Sequence, residues 1–84
     1  MNPFIGLPFE RLRFEYERRE RKLTEIRDAK RRCDDEFYEA MTKTMMGREA
    51  KGWSDWHADN DTKFREEAEA LEQELKQIEQ AMNA

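Results

Sequence analysis

From Phe9 to Thr44 the apolar and small residues recur at alternating steps of three and four: Phe9, Leu12, Tyr16, Arg19, Leu23, Ile26, Lys30, Cys33, Phe37, Ala40, Thr44. That spacing is a heptad seam, with Arg19 and Lys30 as its polar interruptions. No Gly or Pro falls between Glu10 and Met46, and helix formers fill the intervening positions. Pro8 suits the first helical turn, where a missing N–H removes no bond. Gly47 suits the left-handed residue beyond the other end. One helix over 9–46 would be about 57 Å long.

A second seam, Phe64, Ala68, Leu71, Leu75, Ile78, Met82, repeats the alternation. Ser54 is a fitting N-cap, which predicts a helix over 54–82. The polar stretch Ala58–Thr62 forms helices poorly, so the regular helix is expected to begin between Ser54 and Thr62. The segment 47–53, bounded by Gly47 and Gly52, is short enough to make the helices antiparallel neighbours. The expected fold is therefore all-α: one domain over 1–84, an antiparallel, coiled-coil-like two-helix hairpin preceded by an apolar arm over 1–8.

A reversal within 47–53 predicts a register. Phe37 should approach Phe64, Cys33 Ala68, Ile26 Leu75, and Leu23 Ile78. Charge agrees: residues 11–32 hold ten basic and five acidic side chains, and residues 55–82 three basic and nine acidic. The basic part of the first helix would lie along the acidic second helix. In this register the shorter second helix ends near Tyr16 and Arg19. Phe4, Ile5, Leu7, Phe9, Leu12 and Phe14 would then lie past the end of the hairpin, without a partner in it. An 84-residue chain with only 37% apolar residues buries little as two helices. Dimerisation into a four-helix arrangement is the economical solution.

Function classes narrow by what the chain carries. A net charge of −4 gives no general reason for nucleic-acid or membrane binding. The basic run 18–32 offers Arg18, Arg19, Arg21, Lys22, Arg31 and Arg32 to phosphates, but Glu20, Glu25 and Asp28 interleave it. Asp55, Asp59, Asp61 and Glu66 match positions 1, 5, 7 and 12 of a calcium loop. However, His57 stands at position 3, Asn60 replaces the required Gly, and Thr62 takes a usually apolar place. Cys33 and His57 are each unique, and the expected register keeps them apart, so neither a Cys–His nucleophile nor a zinc site is expected. A single cysteine excludes an intrachain disulfide. No catalytic set, metal, cofactor or small-molecule substrate is expected. Asn60-Asp61-Thr62 forms a glycosylation sequon. With no leader or membrane span visible, the expected address is cytoplasmic and the sequon is read as chance.

What remains is aromatic and apolar side chains off the seam. Phe14 falls opposite the heptad stripe, close to Phe4, Ile5 and Leu7. Trp53 and Trp56 stand at the turn, where they are expected to cap the open end against Met41, Met45 and Met46. The expected contact surfaces are the arm side (Phe4, Ile5, Leu7, Phe9, Phe14) and the turn (Trp53, Trp56). The acidic second helix, with Glu66, Glu67, Glu69, Glu72 and Glu74, adds attraction to a basic partner. By analogy of size and class, such chains serve as adaptors, assembly factors or inhibitors, virus-encoded inhibitors of host enzymes included. The competing expectation is a nucleic-acid-binding dimer that uses the basic face.

Overall fold

The computed structural model describes residues 1–44 and 47–84; Met45 and Met46 lie outside the described residues. The fold is an all-α helical hairpin. Helix α1 spans Phe9–Lys43 and α2 spans Arg48–Met82, and the two pack against each other in a body 56 × 21 × 12 Å across. Pro8 sits at the N-cap of α1, one position earlier than the first helical turn, and its carbonyl accepts from the Leu12 N–H at 3.0 Å. Thr44 is extended and closes α1 by donating its N–H to the Ala40 carbonyl. The expected end of α1 at Met46 is thus replaced by a stop at Lys43.

The second helix starts earlier than its polar sequence predicts. Gly47 has φ +97°, as a reversal there requires, but it serves as the N-cap of α2 rather than as the residue finishing α1. Arg48, Glu49, Ala50 and Lys51 continue directly as helix, so most of the expected turn over 47–53 is helical. One interior Gly costs a helix only about 1 kcal/mol relative to Ala, which the good helix formers around Gly52 offset. The stretch Ala58–Thr62 is helical as well. Asn60 Nδ2 donates to the Trp56 carbonyl, and Asp61 pairs with Lys30 on α1 at 3.2 Å. Contacts with the facing helix override the low propensity of these residues.

The tighter reversal moves the register. With α1 ending at Lys43 and α2 starting at Arg48, α2 slides one to two helical turns toward the start of α1. Leu23, expected against Ile78, instead packs with Leu71 and Leu75, and Ile26 and Ala68 join that cluster. Phe37 likewise meets His57 rather than Phe64. Ile78, fully buried, moves on to Leu12 and Phe4 in a second cluster, and Tyr16 packs on both.

This displacement overturns, for Phe4, Leu12 and Tyr16, the expectation that Phe4 to Tyr16 have no partner in the hairpin. Helix α2 is long enough to reach these three. The arm folds back through turns in which Ile5 N–H donates to the Asn2 carbonyl and Leu7 N–H to the Phe4 carbonyl, with Gly6 at φ +96°. Asn2 then anchors it twice: Nδ2 donates to the Gln77 carbonyl at 2.7 Å, and Oδ1 accepts the Phe4 N–H at 2.9 Å. Phe4 ends 9% exposed over Leu12 and Ile78. Truncating a buried Phe removes its contacts and leaves a cavity. Phe4→Ala is expected to lower stability by about 2 kcal/mol, read as a lower urea midpoint with unchanged slope. An unchanged midpoint would mean that the arm does not pack on its own hairpin.

Candidate functional site

The end of the hairpin that carries the arm is organised by Arg19. Its position in the seam points the guanidinium between the helices. There it meets Glu15 Oε2, one turn back, at 2.6 Å and the Glu74 carboxylate on α2. Its other face covers the Phe4 ring, with the guanidinium carbon 5.0 Å from the centroid. Glu15 is buried and takes further pairs from Arg11 at 3.1 Å and Arg18 at 3.4 Å. The hydrogen bond from Arg19, with the charges of Arg18 and Arg11, holds the Glu15 carboxyl below the usual carboxylate range against the opposing effect of burial. Nearby, Tyr16 Oη donates to Glu79 Oε1 at 3.0 Å, which pushes the phenol up.

Around this closed core, large apolar side chains face outward. Ile5 is 60% exposed, Phe9 62%, Phe14 49% and Leu7 38%. Of the five arm-side residues expected to form a contact surface, four are therefore available. Phe4 is not, because it is spent inside the hairpin. Phe14 carries the Arg11 guanidinium 5.8 Å from its ring centre.

Midway along, the other polar seam residue also bridges the helices. Lys30 Nζ reaches Asp34 and Asp61, each at 3.2 Å. Asp34 Oδ1 in turn meets His57 Nε2 at 2.8 Å, and the imidazole stacks on Phe37 with centroids 4.2 Å apart. The His57 bond and Lys30 hold the Asp34 carboxyl low, and Asp34 then Asp61 push the Lys30 ammonium up. The stretch with calcium-loop spacing is helix here, with Asp55 paired to Lys51 and Asp61 to Lys30, so its carboxylates do not converge as a loop would make them. No group of three or more His, Cys, Asp or Glu side chains among the described residues is placed to hold a metal ion. Cys33 is half-buried.

At the turn, Trp53 and Trp56 are half-buried and meet edge to face, with centroids 5.3 Å apart and planes at 83°. They line an open groove of about 350 Å³ with Gly52, Glu49 and, from α1, Glu36. Met41 is half-buried; the Met45 and Met46 part of the expected cap lies outside the described residues.

The two charged faces stay largely unneutralised. Glu66, Glu67, Glu69 and Glu72 are exposed and make no ion pair among the described residues, while Glu74 is committed to Arg19. On α1, Arg18 and Arg19 are engaged with Glu15, whereas Arg21, Lys22, Arg31 and Arg32 are exposed without an ion pair among the described residues. The expected charge complementarity between the helices is thus carried by two residues, Arg19 and Lys30.

Sequence reasoning missed Glu15 and Asn2. Glu15 had a readable signal, with arginines four before, three after and four after it on one helix face. Asn2 had none, since its partner is a backbone carbonyl at the far end of the chain. Neither a protein family, nor a curated protein, nor a solved structure matches the chain.

The carboxylates set the pH response. Both Glu15 and Asp34 have depressed values in the folded state, so the unfolded chain binds protons first as pH falls. Their contribution is in place above the ordinary carboxylate range of about 4 and is lost as pH drops through their folded values. Lys30 and Tyr16, both raised, lose theirs at the alkaline end, as pH rises through their folded values above about 10. Urea midpoints are expected to fall below about pH 4, with Glu15→Gln and Asp34→Asn each removing part of the acid slope. A double variant with the original acid slope would contradict this assignment.

Proposed function

We propose that the chain is a non-enzymatic protein–protein interaction module, an adaptor or inhibitor that self-associates through its arm end and presents its Trp turn and acidic α2 to a target protein. The observation that carries this reading is the exposure of Ile5, Phe9 and Phe14 beside a core already closed by Phe4, Leu12 and Ile78. Those side chains are not needed to complete the hairpin. They are too large and too numerous at one end to be ordinary scattered surface residues.

The surface area supports the same reading. A compact monomer of this mass exposes about 5,300 Å², whereas the hairpin exposes 6689 Å². The excess is comparable to the total area that an ordinary dimer interface buries. Only six apolar residues are buried among the described residues, so a second copy would add what two helices cannot supply. Inhibition of a host enzyme by a virus-encoded chain is one form this activity would take.

Light scattering on the full chain is expected to give a dimer mass. Phe9→Ser with Phe14→Ser is expected to give a monomer of unchanged helicity, because neither side chain belongs to the two core clusters. A monomeric full chain would remove the self-association part of the reading.

A second reading has its own observation. Arg21, Lys22, Arg31 and Arg32 are free of ion pairs among the described residues, and Arg18, Arg21 and Lys22 line an open groove of about 710 Å³ beside Leu71. Exposed cations along a helix are what a nucleic-acid backbone requires. Arg19, however, is taken up in the core, and Glu25 and Glu74 line the same groove. Duplex DNA and RNA at low salt are therefore expected to show no retention. Binding that falls steeply with added salt and is lost in Arg21→Ala/Lys22→Ala/Arg31→Ala/Arg32→Ala would put the nucleic-acid reading in its place.

A further inference from the structure

The groove at the turn has a composition distinct from the rest of the surface. Two indoles meet at 83°, so the face of one and the edge of the other form a corner rather than a flat stack. The residues that complete the lining are two exposed carboxylates, Glu36 from α1 and Glu49 from α2, and Gly52. A Cβ added at Gly52 would meet nothing within 4 Å, so the floor is open on that side. Among the described residues no Lys or Arg lines this groove; Lys43 lines the adjoining one, which shares Trp53 and Glu36.

Elsewhere in the chain, aromatic rings are matched with cations. Arg19 covers Phe4 and Arg11 covers Phe14. Among the described residues no cation lies over Trp53 or Trp56, although indole is the ring with the strongest attraction for one. The nearby lysines are engaged otherwise, Lys43 with Glu39 and Lys51 with Asp55. An aromatic corner flanked by carboxylates is the arrangement that receives an ammonium or guanidinium group. The rings supply the quadrupole and apolar contact, and the acids supply the counter-charge.

We infer that the Trp53–Trp56 corner, with Glu36 and Glu49, is a binding site for a cationic side chain, and hence that the target protein presents a basic segment to the turn. This rests on the protein-binding reading and specifies the chemistry of the partner. The carboxylates of the exposed α2 face, Glu66, Glu67 and Glu69, carry the same sign further along the molecule. A basic segment leaving the groove along α2 would remain in a favourable field, whereas an acidic one would be repelled.

The probe is Nα-acetyl-Nε-trimethyllysine methylamide, compared with its neutral isostere in which carbon replaces the charged nitrogen. Binding is followed through the two indole N–H signals in heteronuclear NMR spectra of the full chain at matched ionic strength. The cationic probe is expected to shift both indole signals saturably and the isostere to bind about tenfold more weakly. Glu36→Gln with Glu49→Gln, two exposed positions that leave the core untouched, is expected to weaken the cation selectively, and Trp53→Ala to abolish the effect with helicity retained. No saturable shift, or equal binding of the neutral isostere, would overturn the inference. Loss of the cation effect in a chain that still dimerises removes this site alone. A monomeric chain that still binds the cation removes the arm-end interface alone.

Discussion

One guanidinium stands where the seam calls for an apolar side chain, and much of the hairpin is arranged around it. Arg19 ties α1 to α2 through Glu74, holds the buried Glu15 in place and roofs the Phe4 ring of the returning arm. Burying charge is costly unless every part of it is matched. Here the matching partners come from three different segments, so the charge is satisfied only when arm and both helices are in register. A polar residue in an apolar seam commonly acts in this way, discriminating against slipped alignments that burial alone would tolerate. Lys30 repeats the device farther along, with Asp34 and Asp61, and His57 extends it to the stacked Phe37. The two interruptions of the heptad are therefore what fix the alignment.

The existence of two long helices could be read directly from the three-four spacing, because an uninterrupted run without Gly or Pro leaves the chain few alternatives. The place of the reversal could not. Gly52 and the polar Ala58–Thr62 stretch are weak helix positions locally, so local propensity favours a turn over 47–53 and a helix start between Ser54 and Thr62. Asp61 and His57 find their partners on α1, at separations no window of sequence spans. The earlier start of α2, at Arg48 rather than past 53, then propagates without loss along a stiff pair of helices. It arrives at the far end as a displacement large enough to change which residues have partners. Phe4 and Asn2 gain their partners by this displacement: both reach the last turns of α2, at Ile78 and Gln77.

The same shift separates what folding uses from what it leaves over. Of the apolar side chains gathered at the N-terminal end, Phe4 and Leu12 enter the core, and Ile5, Leu7, Phe9 and Phe14 do not. Likewise, among the described basic side chains of α1 only Arg19 and Lys30 pair with carboxylates on α2, so most of the charge on each helix still faces outward. The candidate arm surface was legible in the sequence as a concentration of apolar residues. Its division into core and surface was not, because that depends on how far α2 extends.

The two ends of the molecule then differ in one physical respect. At the arm end, aromatic rings and cations are matched within the chain: Arg19 with Phe4, and Arg11 with Phe14. Adding an external cation there would compete with groups already held in place by Glu15 and by the helix itself. At the turn, two indoles and two carboxylates converge while the neighbouring lysines pair with acids on their own helices. In the proposed reading, the apolar end would take a partner that brings hydrophobic area, and the turn one that brings positive charge. A hairpin with chemically distinct ends 56 Å apart can engage both without either competing for the other's surface.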